Sequence, residues 1–276
     1  MKGYSVSRLC ELGGISRQAY YAGRKSRKDK QIDEDFVVAL VRDERKWHPR
    51  MGTRKLLNNL RPLLERNNIR IGRDTLFEIL RERRMLVKPK RLWVKTTNSW
   101  HNLPLYRNLL KNRTPTAPNQ VWVSDITHIR TDGGWLYLSL VTDLHSRKIL
   151  GWNLGETLAP SQSVKALRMA IRQLPAKRWP IHHSDRGSQY CCREYVEVLR
   201  EADMSVSMTE ENHCYENCYA ERVNGILKNE YNLDLGFRNK EQALTATAEA
   251  IEMYNNWRPH KSLRMSTPCE IHREAA

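Results

Sequence analysis

No stretch of the 276-residue sequence approaches the roughly 18 consecutive apolar residues that a membrane-spanning helix needs. Its start, Met1-Lys2-Gly3-Tyr4, lacks the apolar core of a secretory leader. There is no low-complexity tract and no internal repeat, and a hydrophobic content of 40% is that of a globular chain. Cysteine is sparse: six residues (Cys10, Cys191, Cys192, Cys214, Cys218, Cys269) are scattered, without the dense pattern of a disulfide-stapled secreted domain. His213, Cys214 and Cys218 lie close enough to suggest zinc, but no second Cys/His pair at finger spacing accompanies them, so ordinary thiols are expected. These absences predict a cytoplasmic protein with no membrane partner. The length exceeds the usual single-domain size and predicts two or more domains.

Charge is plentiful and unevenly spread. The net +16 divides into +17 over residues 1–120, with 28 Lys/Arg against 11 Asp/Glu, and −1 over residues 121–276. A well-solvated surface has no reason to segregate charge in this way, whereas a polyanion partner does. With no membrane-type amphipathic pattern, that partner is expected to be nucleic acid.

The basic half reads as helical. Residues 5–22 resolve into two short helices around Gly13-Gly14, with Leu9 and Leu12 facing Ile15 and Ala19 and Ser16 placed to cap the second. This is the pattern of a helix-turn-helix, and Arg17 and Gln18 stand near the start of its second helix, where such motifs meet DNA. Arg24–Lys30, with five basic residues in seven positions, reads as a solvated linker. Residues 33–46, then 52–64 interrupted by Pro62, then 73–84 with Leu76, Phe77, Ile79 and Leu80 inward and Arg73, Arg81 and Arg84 outward, make a second helix-turn-helix candidate. An ordinary helical bundle with a charged face fits the same pattern. The expected divisions are 1–30, 31–90, a proline-marked linker over 91–117, and a last domain over 118–276.

That last domain changes texture. Val121–Thr131 is rich in β-formers, Asp132-Gly133-Gly134 is a hairpin turn, and Trp135–Leu144 and Lys148–Leu154 follow as strands. Helix, strand, helix and strand come next, at Ser161–Leu174, Pro180–Ser184, Cys192–Ala202 and Met204–Met208, before helices at Tyr219–Tyr231 and Lys240–Trp257. Three antiparallel strands followed by this alternation is the order of an α/β, ribonuclease-H-like domain with a mixed five-stranded sheet.

Three acids stand out on these elements. Asp125 falls mid-strand, where aspartate is disfavoured, on the face shared by Val121, Val123, Thr127 and Ile129. Asp185 directly follows the strand Pro180–Ser184, ahead of Arg186-Gly187, and Glu221 starts a helix. Converging carboxylates repel by roughly 1–4 kcal/mol per close pair, and hard divalent cations resolve this. Solvated surface carboxylates remain the alternative, since the intervals of 60 and 36 residues are uninformative alone.

The segments Val121-Trp-Val-Ser-Asp125-Ile-Thr, His183-Ser-Asp185-Arg-Gly-Ser-Gln-Tyr190 and Asn217-Cys-Tyr-Ala-Glu221-Arg-Val-Asn-Gly-Ile-Leu-Lys228 resemble the three blocks of the retroviral-integrase-like DDE transposases of bacterial insertion sequences. The chain is similar to the second-frame product of the group encoded in two overlapping frames. Val141–Trp152, Tyr254–His260, Thr267-Pro268 and the upstream Pro49-Arg-Met-Gly-Thr-Arg54 agree, so the resemblance covers nearly the whole chain. Departures are small: His145 stands where an aromatic residue is common, and Glu216 where Asp is common.

The resemblance implies a polynucleotidyl transferase that cleaves and joins DNA at its element's ends. Asp125, Asp185 and Glu221 would be its catalytic residues and hold two Mg²⁺ or Mn²⁺ ions. Expected partners are double-stranded DNA at the element ends and target, further copies of the chain on DNA, and a first-frame DNA-binding protein or fusion; association with the nucleoid follows. A ribonuclease-H-like nuclease that only hydrolyses, and a catalytically silent DNA-binding regulator, are the competing readings. Helical periodicity puts Asn217, Glu221, Asn224 and Lys228 on one face, with Lys228 suited to a phosphate at the cleavage point. Asn217, Asn224, Lys228, Arg17, Gln18, Arg54, Arg73, Arg81 and Arg84 are the expected DNA contacts. His182 and His183 adjoin the second acid without an assigned role.

Overall fold

The computed structural model describes residues 5–7, 10, 13–88, 103–111, 113–175, 178–210 and 217–274. Leu9, Leu12, much of the proline-rich linker and the His213-Cys214 pair lie outside the described residues. Two compact units divide the chain, one of Met1–Trp47 with Gly52–Val87, the other of His48–Met51 with Lys88–Ala276.

The first unit is helical. Ser16 Oγ accepts the Ala19 N–H at 3.0 Å and caps α1 (Arg17–Trp47), satisfying one of the amides that open a helix. Where the sequence suggests a linker at Arg24–Lys30, α1 continues unbroken across residue 30. Arg, Lys and Gln are good helix formers, and i,i+4 contacts from Lys30 to Glu34 (3.6 Å) and Gln31 to Asp35 (3.2 Å) support the turn. A charge run is therefore no stop signal. Nor does Pro62 interrupt α2 (Thr53–Arg66), which buries Leu56, Leu57, Leu60 and Leu64. Pro62 and Asn58, whose carbonyl loses its helical partner, are both exposed residues. α3 (Arg73–Glu82) adds Leu76, Ile79 and Leu80 to a core with Val37, Val38 and Val41 of α1.

The second unit is built on a mixed five-stranded sheet in the order β3-β2-β1-β4-β5, the ribonuclease-H-like arrangement the element order predicts. β1 (Val121–Thr131) and β2 (Gly134–Asp143) form an antiparallel hairpin from Trp122↔Asp143 to Thr131↔Gly134. The turn residue Gly134 takes a φ of 124°, open to glycine and strained for other residues. β3 (Ile149–Gly155) runs antiparallel to β2, whereas β4 (Ile181–Ser184) and β5 (Ser205–Met208) are parallel additions.

Alternation along β1 divides the core between two faces. Trp122, fully buried, packs on one side with Leu167 and Ala170 of α4 (Pro160–Ile171) and Tyr195 and Leu199 of α6 (Arg193–Glu201). On the other, Val121 and Val123 meet Ala220, and Ile129 joins Val223, Ile226 and Leu227 of α7 (Cys218–Glu230) and Tyr254 of α8 (Lys240–Asn256). A short α5 (Ser188–Cys191) follows β4, and α9 (Pro268–Glu274) closes the chain. Helices on both faces of one sheet make three layers.

Two details position the site. At Gly151 of β3 an added Cβ would lie 2.0 Å from Ala166 O and 2.7 Å from Ala170 N, so the strand tolerates α4 at this distance only as glycine. On the opposite side of β2, β4 pairs with β1 only from Val121 to Val123, and the next bridge along that edge is Thr131↔Phe237. Among the described residues, the edge of β1 between them is open.

Candidate active site

Asp125 lies in that open stretch. Its backbone pairs inward with Leu140 of β2, and its Oδ1 accepts the Ile126 N–H at 2.9 Å while Oδ2 accepts Asn224 Nδ2 at 2.8 Å. The side chain is partly buried by exposure, yet densely surrounded. Burial, then the charge of Asp185 and, more weakly, that of Glu221, push its pKa up to about 7 against the two donors.

Asp185 sits one residue past the end of β4, and its Oδ1 accepts the Gly187 N–H at 2.9 Å. That contact turns the chain sharply into α5. Glu221 occupies the first turn of α7 and is exposed; burial and then Asp185 raise its pKa as well. The fold thus brings together three acids separated by 60 and 36 residues, closely enough that the charge of Asp185 raises the pKa of both Asp125 and Glu221. Among the described residues, no group of three or more His, Cys, Asp and Glu side chains is gathered as a ready metal cluster. An all-carboxylate donor set, with one member held near neutral pKa, suits a hard divalent cation.

Of the residues expected on one face of α7, Asn217, which immediately precedes the helix, and Asn224 are turned inward. Asn217 and Asn224 are both buried: Asn217 Nδ2 donates to Ser124 O at 3.3 Å and Asn224 Nδ2 to Asp125. Lys228, two turns on from Glu221, is half-buried. Burial lowers its pKa, while Asp234 and Asp125 oppose the shift, so its ammonium lies within reach of the Asp125 charge. The remaining expected DNA contacts lie in the helical unit. Arg17, Gln18, Arg54, Arg73, Arg81 and Arg84 are all exposed there, with Arg81 stacked 4.9 Å above Phe77 and Arg73 paired with Asp74 at 2.7 Å.

What surrounds His182 beneath the acids escapes the sequence reading. His182 Nε2 lies 2.7 Å from Ser124 Oγ and 2.9 Å from Tyr195 OH, tying β4, β1 and α6 together directly behind Asp125. Burial and the neighbouring His183 push the His182 pKa down to about 3, so the ring is neutral. His183 Nδ1 lies 2.9 Å from Ser207 Oγ, linking β4 to β5. A histidine pair on the strand that delivers Asp185 is visible in the sequence; its partners on three other elements are not. Asp143, by contrast, is wholly buried and satisfied: it accepts Ser146 N–H (2.7 Å), Ser146 Oγ–H (2.8 Å) and Asn119 N–H (2.7 Å). Its role is to fold the β2–β3 turn. His145, at a position departing from the resembled pattern, sets Nδ1 3.1 Å from Pro115 O. Cys218 is exposed at the start of α7, and Cys191 is buried with its thiol pKa pushed up to about 11, first by burial, so it is an unreactive thiol.

Comparison with known proteins agrees with this architecture. The integrase core domain family matches residues 115–214, and a second integrase core domain family matches residues 202–268. An insertion element IS600 protein of 31 kDa from Shigella sonnei is 38% identical over 269 residues, covering 94% of this chain and 96% of that protein. The transposase InsF for insertion sequence IS3A of Escherichia coli K12 is 30% identical over 267 residues, covering 93% of this chain and 90% of that protein. Among solved structures, the HTLV-2 integrase catalytic core domain in complex with magnesium aligns with a TM-score of 0.47 at 20% identity, over 58% of this chain and 99% of that one. With relatives of this identity spanning nearly its whole length, the chain belongs to the transposases of bacterial insertion sequences, DDE-type enzymes with an integrase core.

Proposed function

We propose that Asp125, Asp185 and Glu221 are the catalytic carboxylates of this transposase and that they act on the ends of its own element. The observation that carries the reading is the elevated Asp125 carboxyl on the open edge of β1, raised by burial and by the charges of the other two acids. Asp125, Asp185 and Glu221 would hold Mg²⁺ or Mn²⁺, as two ions. When bound, these ions supply charge neutralisation at the attacking and leaving oxygens of a phosphodiester displacement.

The chain's own residues prepare that chemistry. Ile126 N–H and Asn224 Nδ2 fix the two oxygens of Asp125, and Gly187 N–H fixes one of Asp185. Lys228 holds a phosphate of the strand to be cut, beside the Asp125 carboxylate that already attracts it. Water first cleaves one strand and leaves a 3′-hydroxyl. That hydroxyl then attacks a second phosphodiester, so one P–O bond forms as another breaks and no protein–DNA covalent intermediate is needed. The exposed arginines of the helical unit supply sequence-independent and groove contacts to the element end, at the nucleoid, with further copies of the chain and a first-frame DNA-binding product completing the assembly.

The test incubates labelled element ends with the protein and Mg²⁺, with and without the first-frame product. Asp125→Asn, Asp185→Asn and Glu221→Gln are each expected to abolish cleavage and joining while DNA binding persists. Near-normal turnover in any of the three removes that residue from the site. Cleavage by the wild type without joining would support the hydrolytic nuclease, and binding without either would support the silent regulator.

A further inference from the structure

Glu221 stands in the first turn of α7, and among the described residues its carboxylate accepts no hydrogen bond. Its direction therefore follows the helical turn that carries it. That turn has no side-chain cap: Asn217, at the capping position, donates its amide to Ser124 O at 3.3 Å and accepts no helix amide on its side chain. Uncapped first turns open more readily than capped ones. The two residues before Glu221 hold it instead. Ala220 packs against the sheet with Val121, Val123 and Leu144. Tyr219, 48% exposed, lies under the Arg147 guanidinium, whose Cζ is 4.0 Å from the ring centroid. Successive residues of an α-helix are turned by about 100°. Ala220 and Tyr219 thus hold the turn from two directions, the first setting its distance from β1 and the second its rotation.

Arg147 is a firm anchor for such a contact. It occupies the turn between β2 and β3 in a left-handed conformation, with φ of 66°. Its N–H donates to Asp143 O at 2.9 Å, and its carbonyl accepts the Tyr254 hydroxyl at 3.0 Å. Asp143 and Tyr254 are wholly buried. Two residues on, the Asn255 side chain bonds both the N–H and the carbonyl of Ile149, each at 2.9 Å. Both backbone groups of Arg147 are therefore tied to the core. Among the described residues its guanidinium makes no ion pair, and its Nη1 is buried without a hydrogen-bond partner. The electron-rich face of Tyr219 is what meets this cation, and desolvation strengthens a contact of that kind.

We propose that Arg147 and Tyr219 are positioning residues for the transferase reaction: their cation–π contact clamps the uncapped first turn of α7 and so aims the Glu221 carboxylate toward Asp125 and Asp185. This rests on the reading of Glu221 as a catalytic carboxylate. Loss of the clamp leaves the other two acids in place, so it raises the metal requirement of cleavage. A cation–π contact is worth about twofold to thirtyfold in an equilibrium.

Two measurements on the full chain test the clamp. Hydrogen exchange in EDTA, without DNA, reads the amides of Glu221, Arg222 and Val223, whose bonds close the first turn. The Mg²⁺ concentration for half-maximal single-turnover cleavage of labelled element ends reads the placement of the carboxylate. Tyr219→Leu removes the ring and Arg147→Met the charge, and both keep apolar bulk. Each should speed exchange at the three amides, and raise the Mg²⁺ requirement, by about twofold to thirtyfold, with the Leu227 amide unaffected. Tyr219→Phe and Arg147→Lys should recover most of both losses. The double variant Tyr219→Leu with Arg147→Met should be no worse than either alone, as a single shared contact requires. The two variants attack the contact from opposite sides, so a folding defect in one leaves the other to decide. Unchanged exchange in both variants, faster exchange with an unchanged Mg²⁺ requirement, or additive losses in the double variant would each overturn the proposal. Exchange is read without metal or DNA and so does not depend on what Glu221 does. Normal turnover by Glu221→Gln strikes the carboxylate reading, whereas unchanged exchange in an active protein strikes this one.

Discussion

Asn224 Nδ2 donates to Asp125 Oδ2 at 2.8 Å, joining residues 99 positions apart in the sequence and coupling α7 directly to the acid at the centre of β1. The bond does two things to Asp125. It fixes the orientation of the carboxylate, and it lowers a pKa that burial and the neighbouring acids raise. Asn224→Ala removes the donor from a densely surrounded carboxylate. A hydrogen bond to a charged group is worth about 1.5–3 kcal/mol, so a tenfold to hundredfold loss of cleavage rate is expected. Asn224→Asp adds a fourth negative charge and should lose more. Single-turnover cleavage at saturating protein reads both, and an unimpaired Asn224→Ala would assign the bond to folding alone.

Lys228 offers a sharper contrast between general and local electrostatics. Lys228→Ala should lower the rate roughly tenfold to hundredfold on the element's own ends, the size of one charge-assisted phosphate contact. The loss on unrelated DNA should be smaller, because only a correctly seated end places a phosphate there. Lys228→Arg should recover part of the activity by keeping the charge, although the planar guanidinium presents it differently. Equal losses on both DNAs would make the residue a general electrostatic contact.

His182 predicts a pH dependence of stability. Its folded pKa, pushed down to about 3 by burial and by His183, lies below the ordinary value of 6.5. The unfolded chain therefore binds this proton more readily than the folded one. The stability contributed by the neutral ring is present above pH 6.5 and is lost as the pH falls toward 3. A loss of a few kcal/mol over that window is the order expected. Urea unfolding at several pH values reads the slope, and His182→Gln, which has no titrating ring, should flatten it. A variant slope as steep as that of wild type would place the titration elsewhere.

Gly151 tests the packing behind the sheet. An added methyl would meet Ala166 O at 2.0 Å and Ala170 N at 2.7 Å, both backbone atoms of α4 that cannot turn aside. Gly151→Ala should therefore force helix and strand apart and destabilise the chain by about 3 kcal/mol or more. Gly133→Ala is the control, since its nearest contact is at 3.9 Å. Comparable midpoints for the two variants in denaturant titration would show that α4 can shift at little cost.

Strand and helix order, the capping serine at Ser16 and the hairpin at Asp132–Gly134 were all legible locally, because alternation, periodicity and turn chemistry are properties of neighbouring residues. The blocks around Asp125, Asp185 and Glu221 likewise identified the family without coordinates. Local reading failed where two local signals compete. The charge run at Arg24–Lys30 and the proline at residue 62 both suggest a break; the first helix continues on good helix formers and i,i+4 contacts, the second because its buried leucines extend past the proline to Leu64. Tertiary structure alone decided what the polar residues do. Asp125 and Asp143 are both strand aspartates. One has two donors on an open edge beside two other acids; the other is sealed among three donors with nothing left to bind. Asn224 and Lys228 recur at helical spacing, and only the fold shows that Asn224 bonds Asp125 directly while Lys228 is half-buried and feels its charge. The sequence determines which side chains exist and on which local face. Their desolvation and their neighbours across the fold set their chemistry, and those depend on contacts between segments far apart in the chain.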